Sequence, residues 1–96
     1  MHHVRVGVYT FKPGTTDTII RKAELELLPM HRQRPGFIGY EVVRTGQDSV
    51  VSISTWQSQA QAEDAATRSV EWVTANIQNS IETVQNHVGE LSFEGR

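Results

Sequence analysis

Apolar residues in the first eleven positions fall on every second residue. Val4, Val6 and Val8 alternate with Arg5, Gly7 and Tyr9, which predicts a strand from about His3 to Phe11 with two unlike faces. The Pro13-Gly14 step ends it, and Thr15 or Thr16 is placed to cap a helix whose first turn carries Asp17. From about Thr16 to Arg34 the period becomes helical, with Ile20, Ala23, Leu27 and Met30 on one stripe and most charges elsewhere. Pro29 lies inside that pattern, lacks a donor N–H and would clash with the Leu25 carbonyl, so a kink or a restarted last turn is expected there.

Pro35-Gly36 breaks the chain again, and "FIGYEVV" (37–43) begins a second strand with apolar residues on both faces. "TGQDS" (45–49) reads as a hairpin turn into a third strand, "VVSISTW", that ends at Trp56. Ser58 stands three residues before Gln61, the spacing of a capping box. Ala62, Ala66, Val70, Val73 and Ile77 then recur at helical steps to about Asn79, with a break expected at Thr67-Arg68-Ser69. "HVGELSF" (87–93) resumes alternation as a fourth strand with Leu91 and Phe93 on one side.

The order β-α-β-β-α-β predicts a ferredoxin-like α+β sandwich with a four-stranded antiparallel sheet, as a single domain over 1–96. Two helices cover only one face of such a sheet. The pattern assigns Val4, Val6, Val8, Ile38, Tyr40, Val42, Val51 and Ile53 to one face, and Tyr9, Phe11, Phe37, Val43, Leu91 and Phe93 to the other. An uncovered apolar face of that kind exceeds what a soluble monomer usually exposes. The simplest cover is a second copy, sheet against sheet, in a two-fold homodimer.

Composition narrows the partners. The formal net charge is -2, which argues against nucleic acid and anionic membrane surfaces. The chain has no Cys, so disulfides, thiolate metal sites and cysteine nucleophiles are excluded, and a reducing cytoplasm is the expected setting. No apolar run approaches the ~20 residues that span a bilayer. His2 and His3 point to opposite faces of a strand, and His31 and His87 are far apart in sequence, so no metal site is expected. No nucleophilic triad order, phosphate loop or dinucleotide fingerprint is present.

The combination of "FKPGTTD", a helix ending in "HRQRPGFIGYEV" and a strand ending in "STWQSQAQAE" resembles the antibiotic biosynthesis monooxygenase (ABM) family, over about Val4 to Phe93. The resemblance implies a homodimeric α+β barrel with a small cleft between sheet and helices in each subunit. It also implies oxidation of a quinol-like or polyketide-like aromatic by dioxygen without a cofactor, since the deprotonated substrate is itself the electron donor. Such a site needs a dry apolar cavity, a proton acceptor and donors for the oxyanion. Haem-degrading members use an Asn on the first strand, a Trp after the third and a ligating His on the second helix. Here Trp56 stands at the Trp position, the Asn position reads Gly7, and the segment from Ser58 to Asn79 has no His, which argues against that constellation. Quinol-oxidising members often carry a His in the same helical region, where this chain reads "AATRSVEWV".

The residues that such a site would draw on are few. His31 is the expected base, with an ordinary pKa of about 6.5 that suits proton transfer, and it also reads as a cation at a helix C-terminus. Tyr9 and Tyr40 are expected as oxyanion donors, or as buried rings whose hydroxyls find other partners. Trp56, Trp72 and Arg5 are expected to bind substrate; for the two tryptophans the competing reading is packing. Arg5 falls on a buried strand face and is expected to pair with an acid such as Glu41, since a lone buried guanidinium is costly. The competing function is a non-catalytic, ligand-binding or stress-associated dimer, and haem binding without degradation would have only His31 or His87 as a ligand.

Overall fold

The computed structural model describes residues 1–95. Its elements run β1 (His3–Phe11), α1 (Thr16–Arg32), β2 (Phe37–Gly46), β3 (Ser49–Trp56), α2 (Gln59–Asn76), a short 3-10 turn (Gln78–Ser80) and β4 (Ile81–Glu90). The four strands form one antiparallel sheet in the order β2-β3-β1-β4, so β1 has a neighbour on each side. This is the ferredoxin-like α+β arrangement expected from the pattern, with both helices on one face.

The alternation of β1 is resolved in favour of its less apolar side. Arg5, Gly7, Tyr9 and Phe11 face the helices and are buried, while Val4, Val6 and Val8 face away. Register carries this choice into the neighbours, because directly paired residues share a face. Tyr9 pairs with Val50, Gly7 with Ser52 and Arg5 with Ser54 on the helix side; Val6 pairs with Ile53 and Val8 with Val51 on the open side. On β2 the same rule moves Tyr40 (opposite Ser54) and Val42 (opposite Ser52) under the helices, and Val43 (opposite Val51) onto the open face. The expected grouping of Tyr40 and Val42 with the valines of β1 is therefore corrected, as is that of Val43 with Tyr9. The cause is an irregular register between Phe37 and Gly39, where one residue of β2 is left out of the pairing.

The helices differ from expectation in phase. On α1 the buried stripe is Thr16, Ile19, Ala23, Leu27 and His31, one step away from Ile20 and Met30. The helix runs unbroken past Pro29 and ends at Arg32, because the proline falls in the last turn, where few bonds remain to be lost. On α2 the buried stripe is Ala62, Ala65 and Ser69, and no break occurs at Thr67–Ser69. Ser58 accepts a hydrogen bond from the Gln61 backbone N–H (3.2 Å). The returning half of the capping box is not made: Gln61 packs its carboxamide over Gly36, leaving Oε1 buried without a partner. β4 starts at Ile81 rather than near His87, and Leu91 and Phe93 fall beyond it, Phe93 being largely exposed.

Two apolar clusters result. One joins Tyr9, Phe11, Ile19, Val50 and Ile77, and the other joins Trp56, Ala62 and Ala65. Among the described residues no helix is long and apolar enough to cross a membrane.

Candidate functional site

Between the two clusters, the helix-facing side of the sheet carries polar groups instead of apolar ones. Arg5 supplies a guanidinium that is only 1% exposed. Its Nη2 donates to the Tyr9 hydroxyl (2.7 Å) and to Oδ1 of Asn86, and its Nη1 donates to Ser52 Oγ (3.4 Å). Nε is buried with no partner. Glu41, the acid expected to pair with Arg5, is exposed and stands opposite Ile53 on the open face, so that pair does not form. Neutral acceptors surround the cation instead.

Gly7 explains how so long a side chain lies flat against its own strand. A Cβ built at this position would fall 2.7 Å from Arg5 Nη2 and 2.7 Å from a ring carbon of Tyr9. The guanidinium thus fills the space that a side chain at position 7 would need.

Arg5 forms one wall of a cavity of about 30 Å³, with Tyr9, Tyr40 and Ser52 beside it and Ile19, Leu27 and Trp72 closing the apolar side. That volume holds on the order of two waters. A cleft of about 270 Å³ adjoins it between α2 and β4, sharing Tyr9 and Val73 and reaching Asn86. Tyr9 and Val73 line both spaces and stand between the cleft and the inner cavity.

His31 is wholly buried, with its ring edge-on to Tyr40 (4.8 Å between centroids) and to Trp56 (5.6 Å). Both ring nitrogens lack hydrogen-bond partners. Burial, helped by the charge of Arg5, lowers its pKa to about 4, so the ring is neutral at pH 7. A neutral, buried ring with two unpartnered nitrogens does not fit the alternative reading of His31 as a helix C-terminal cation. Burial raises the pKa of Tyr40, with the Ser52 hydroxyl and Arg5 pulling partly in the other direction.

The two tryptophans part company. Trp72 lines the cavity and donates from Nε1 to Glu26 Oε1 (3.0 Å). Trp56 does not line it; it is buried against Phe37, Ala62 and Ala65 and donates from Nε1 to Ser54 Oγ (2.9 Å). The structure therefore brings Arg5, Tyr9, Tyr40 and Trp72 around one cavity, and sets His31 and Trp56 behind Tyr40. Ser52 and Asn86 complete the polar corner and were not anticipated. Ser52 has a signal, since it alternates with Val51 and Ile53 along β3; Asn86 has none, because the alternation predicts β4 only from His87.

Residues 2–78 match the family model described as antibiotic biosynthesis monooxygenase. The chain belongs to the antibiotic biosynthesis monooxygenase family. Solved structures share the fold at low identity. A protein of unknown function from Nitrosomonas europaea (NE2512) superposes with a TM-score of 0.78 at 13% identity, over 99% of this chain and 93% of that one. SnoaB from Streptomyces nogalater, a cofactor-independent oxygenase, gives 0.76 at 14% identity over 97% and 95%. Protein SO0527 from Shewanella oneidensis gives 0.75 at 20% identity over 92% and 88%. Among curated proteins, none matches this chain by sequence. The ABM fold accounts for the cavity's position between sheet and helices; its polar corner is written in this chain's own residues.

Proposed function

We propose that this ABM protein is a homodimeric, cofactor-independent monooxygenase that oxidises a quinol-like or polyketide-like aromatic with dioxygen. The observation that carries this reading is the buried Arg5 guanidinium, ringed by the hydroxyls of Tyr9, Ser52 and Tyr40 at the end of an apolar cavity. Chemistry without a cofactor starts by forming a substrate anion, and a cation in a dry site lowers the cost of that step. His31 is neutral and able to take a proton, but with a conjugate acid near 4 it is a weak base. Most of the driving force for deprotonation then comes from Arg5, with Tyr40 lying between the cavity and the His31 ring.

The carbanion form of the substrate gives its electrons to O2, and a carbon–oxygen bond forms to give a hydroperoxide. Loss of water leaves a carbonyl, so that CH2 and O2 become C=O and H2O. No outside reductant is needed. The homodimer in this proposal forms through the open face, where Val4, Val6, Val8, Val43, Val51 and Ile53 make an apolar surface that neither helix covers.

Oxygen uptake with a panel of anthrones and quinols tests the proposal. The wild type should consume one O2 per carbonyl formed, with label from isotopic O2 in the product. Arg5→Met should lose on the order of a hundredfold in rate. No uptake across the panel would leave the second reading, a non-catalytic binder, which the small inner cavity and weakly basic His31 favour.

A further inference from the structure

The charge of Arg5 is not neutralised by any carboxylate among the described residues. Arg21, Arg34, Arg44 and Arg68 each face one: Glu24 for the first, Asp64 for the second and fourth, Asp17 for the third. Those four lie at the surface, where a pair is worth little. Arg5, by contrast, is the arginine that burial makes expensive to leave alone. Its three acceptors are neutral, and it is the donor to all of them. The hydroxyl hydrogen of Tyr9 and the amide hydrogens of Asn86 are therefore left to donate onward, while the Ser52 hydroxyl is engaged with Tyr40. The corner holds a positive charge and a surplus of donors, and its remaining walls are apolar.

We infer that this corner is a monoanion site, which takes a ligand bearing one carboxylate or ionised enol oxygen on an apolar body. The oxyanion reaches Arg5 and Tyr9 once Val73 swings aside, and the body extends along the cleft past Val70 and Val84. One buried cation balances one charge; a phosphate would bring nearly two into walls that offer no second. Gly7 is the positioning residue, because only a residue without Cβ leaves the guanidinium its place. This inference rests on the proposal that the cavity binds the substrate, and it narrows that substrate to an acid.

The test compares three probes of one shape, 2-naphthoate, 2-naphthamide and 2-naphthol, with binding followed by calorimetry and by quenching of tryptophan fluorescence in a Trp56→Phe background, which leaves Trp72 as the fluorophore. Wild-type protein should bind the naphthoate on the order of tenfold more tightly than the amide at pH 7. Arg5→Met and Gly7→Ala should abolish that preference while still binding the amide, and Arg5→Lys, which keeps the charge, should retain part of it. Naphthol affinity that climbs with ionisation of the probe assigns the site to an enol oxygen, and a flat response assigns it to a carboxylate. Equal affinity of the wild type for naphthoate and amide, no binding of either, or a preference that survives Arg5→Met overturns the inference. Oxygen uptake on neutral anthrones separates the two proposals: uptake without anion preference sinks the anion site alone, and anion preference without uptake sinks the oxygenase alone.

Discussion

His31 makes the stability of this protein depend on pH between about 4 and 6.5. In the folded chain its pKa is lowered to about 4, first by burial and then by the charge of Arg5; in the unfolded chain it returns to its ordinary 6.5. The unfolded state therefore binds the extra proton between these values. Stability is complete above about pH 6.5 and falls as pH drops toward 4. The span of about 2.5 units, at 1.36 kcal/mol each, sets the total loss at roughly 3 kcal/mol. Against a typical domain stability of roughly 5–15 kcal/mol that is a large fraction. Asp64, whose pKa is also lowered, loses its stabilising effect only below the ordinary carboxylate range and stays outside the window. The assay is urea denaturation at several pH values between about 4.5 and 7.5, at one protein concentration, for wild type and His31→Phe. The wild type should lose stability relative to the variant by up to about 1.4 kcal/mol per pH unit at the acid end. At pH 7 the two should lie close together, since phenylalanine fills the same space and removes two unpartnered nitrogens. Parallel curves for the two proteins would refute the reasoning, because the pH dependence would then arise elsewhere.

Two further outcomes follow from the sheet and its turns. Ile53 sits beside Val6 on the open face, so Ile53→Glu should convert a dimer to a monomer in sedimentation at micromolar concentration; a monomeric wild type would refute the sheet-to-sheet dimer. Gly36 has φ of +82° and Gln61 packed where a Cβ would go, so Gly36→Ala should cost roughly 1–2 kcal/mol in thermal or urea unfolding, and an unchanged protein would show that the turn relaxes freely.

The element order, both Pro-Gly stops and the β1 boundaries were legible because they rest on local signals that tertiary structure does not reverse. Faces were harder. β1 offers valines on one side and Arg5, Gly7, Tyr9 and Phe11 on the other, and a rule of apolar-inward predicts the wrong side. What decides is size: the rings of Tyr9 and Phe11 fill the space under α1 and α2, with Ile19 and Ile77 against them, as valines could not. The burial of His31 is readable in principle, four residues after Leu27 on the stripe that includes Ile19 and Ala23, but a stripe through Ile20 and Met30 is the more apolar one and leaves it out. The polar partners of Arg5 were out of reach. Asn86 is 81 positions away, and only the pairing of Gly7 with Asn86 across β1 and β4 brings it close.

That distance has a consequence for how the protein comes into being. Arg5 is made 81 positions before Asn86 and has to wait for it. Until β4 docks along β1, the guanidinium has Tyr9 and Ser52 but lacks its third acceptor, and the cleft lacks its far wall. Closing so long a loop is the slow kind of folding event. A molecule held at this corner would favour the state in which β4 is docked over the one in which it is not, and would stabilise the sheet's outer edge by mass action.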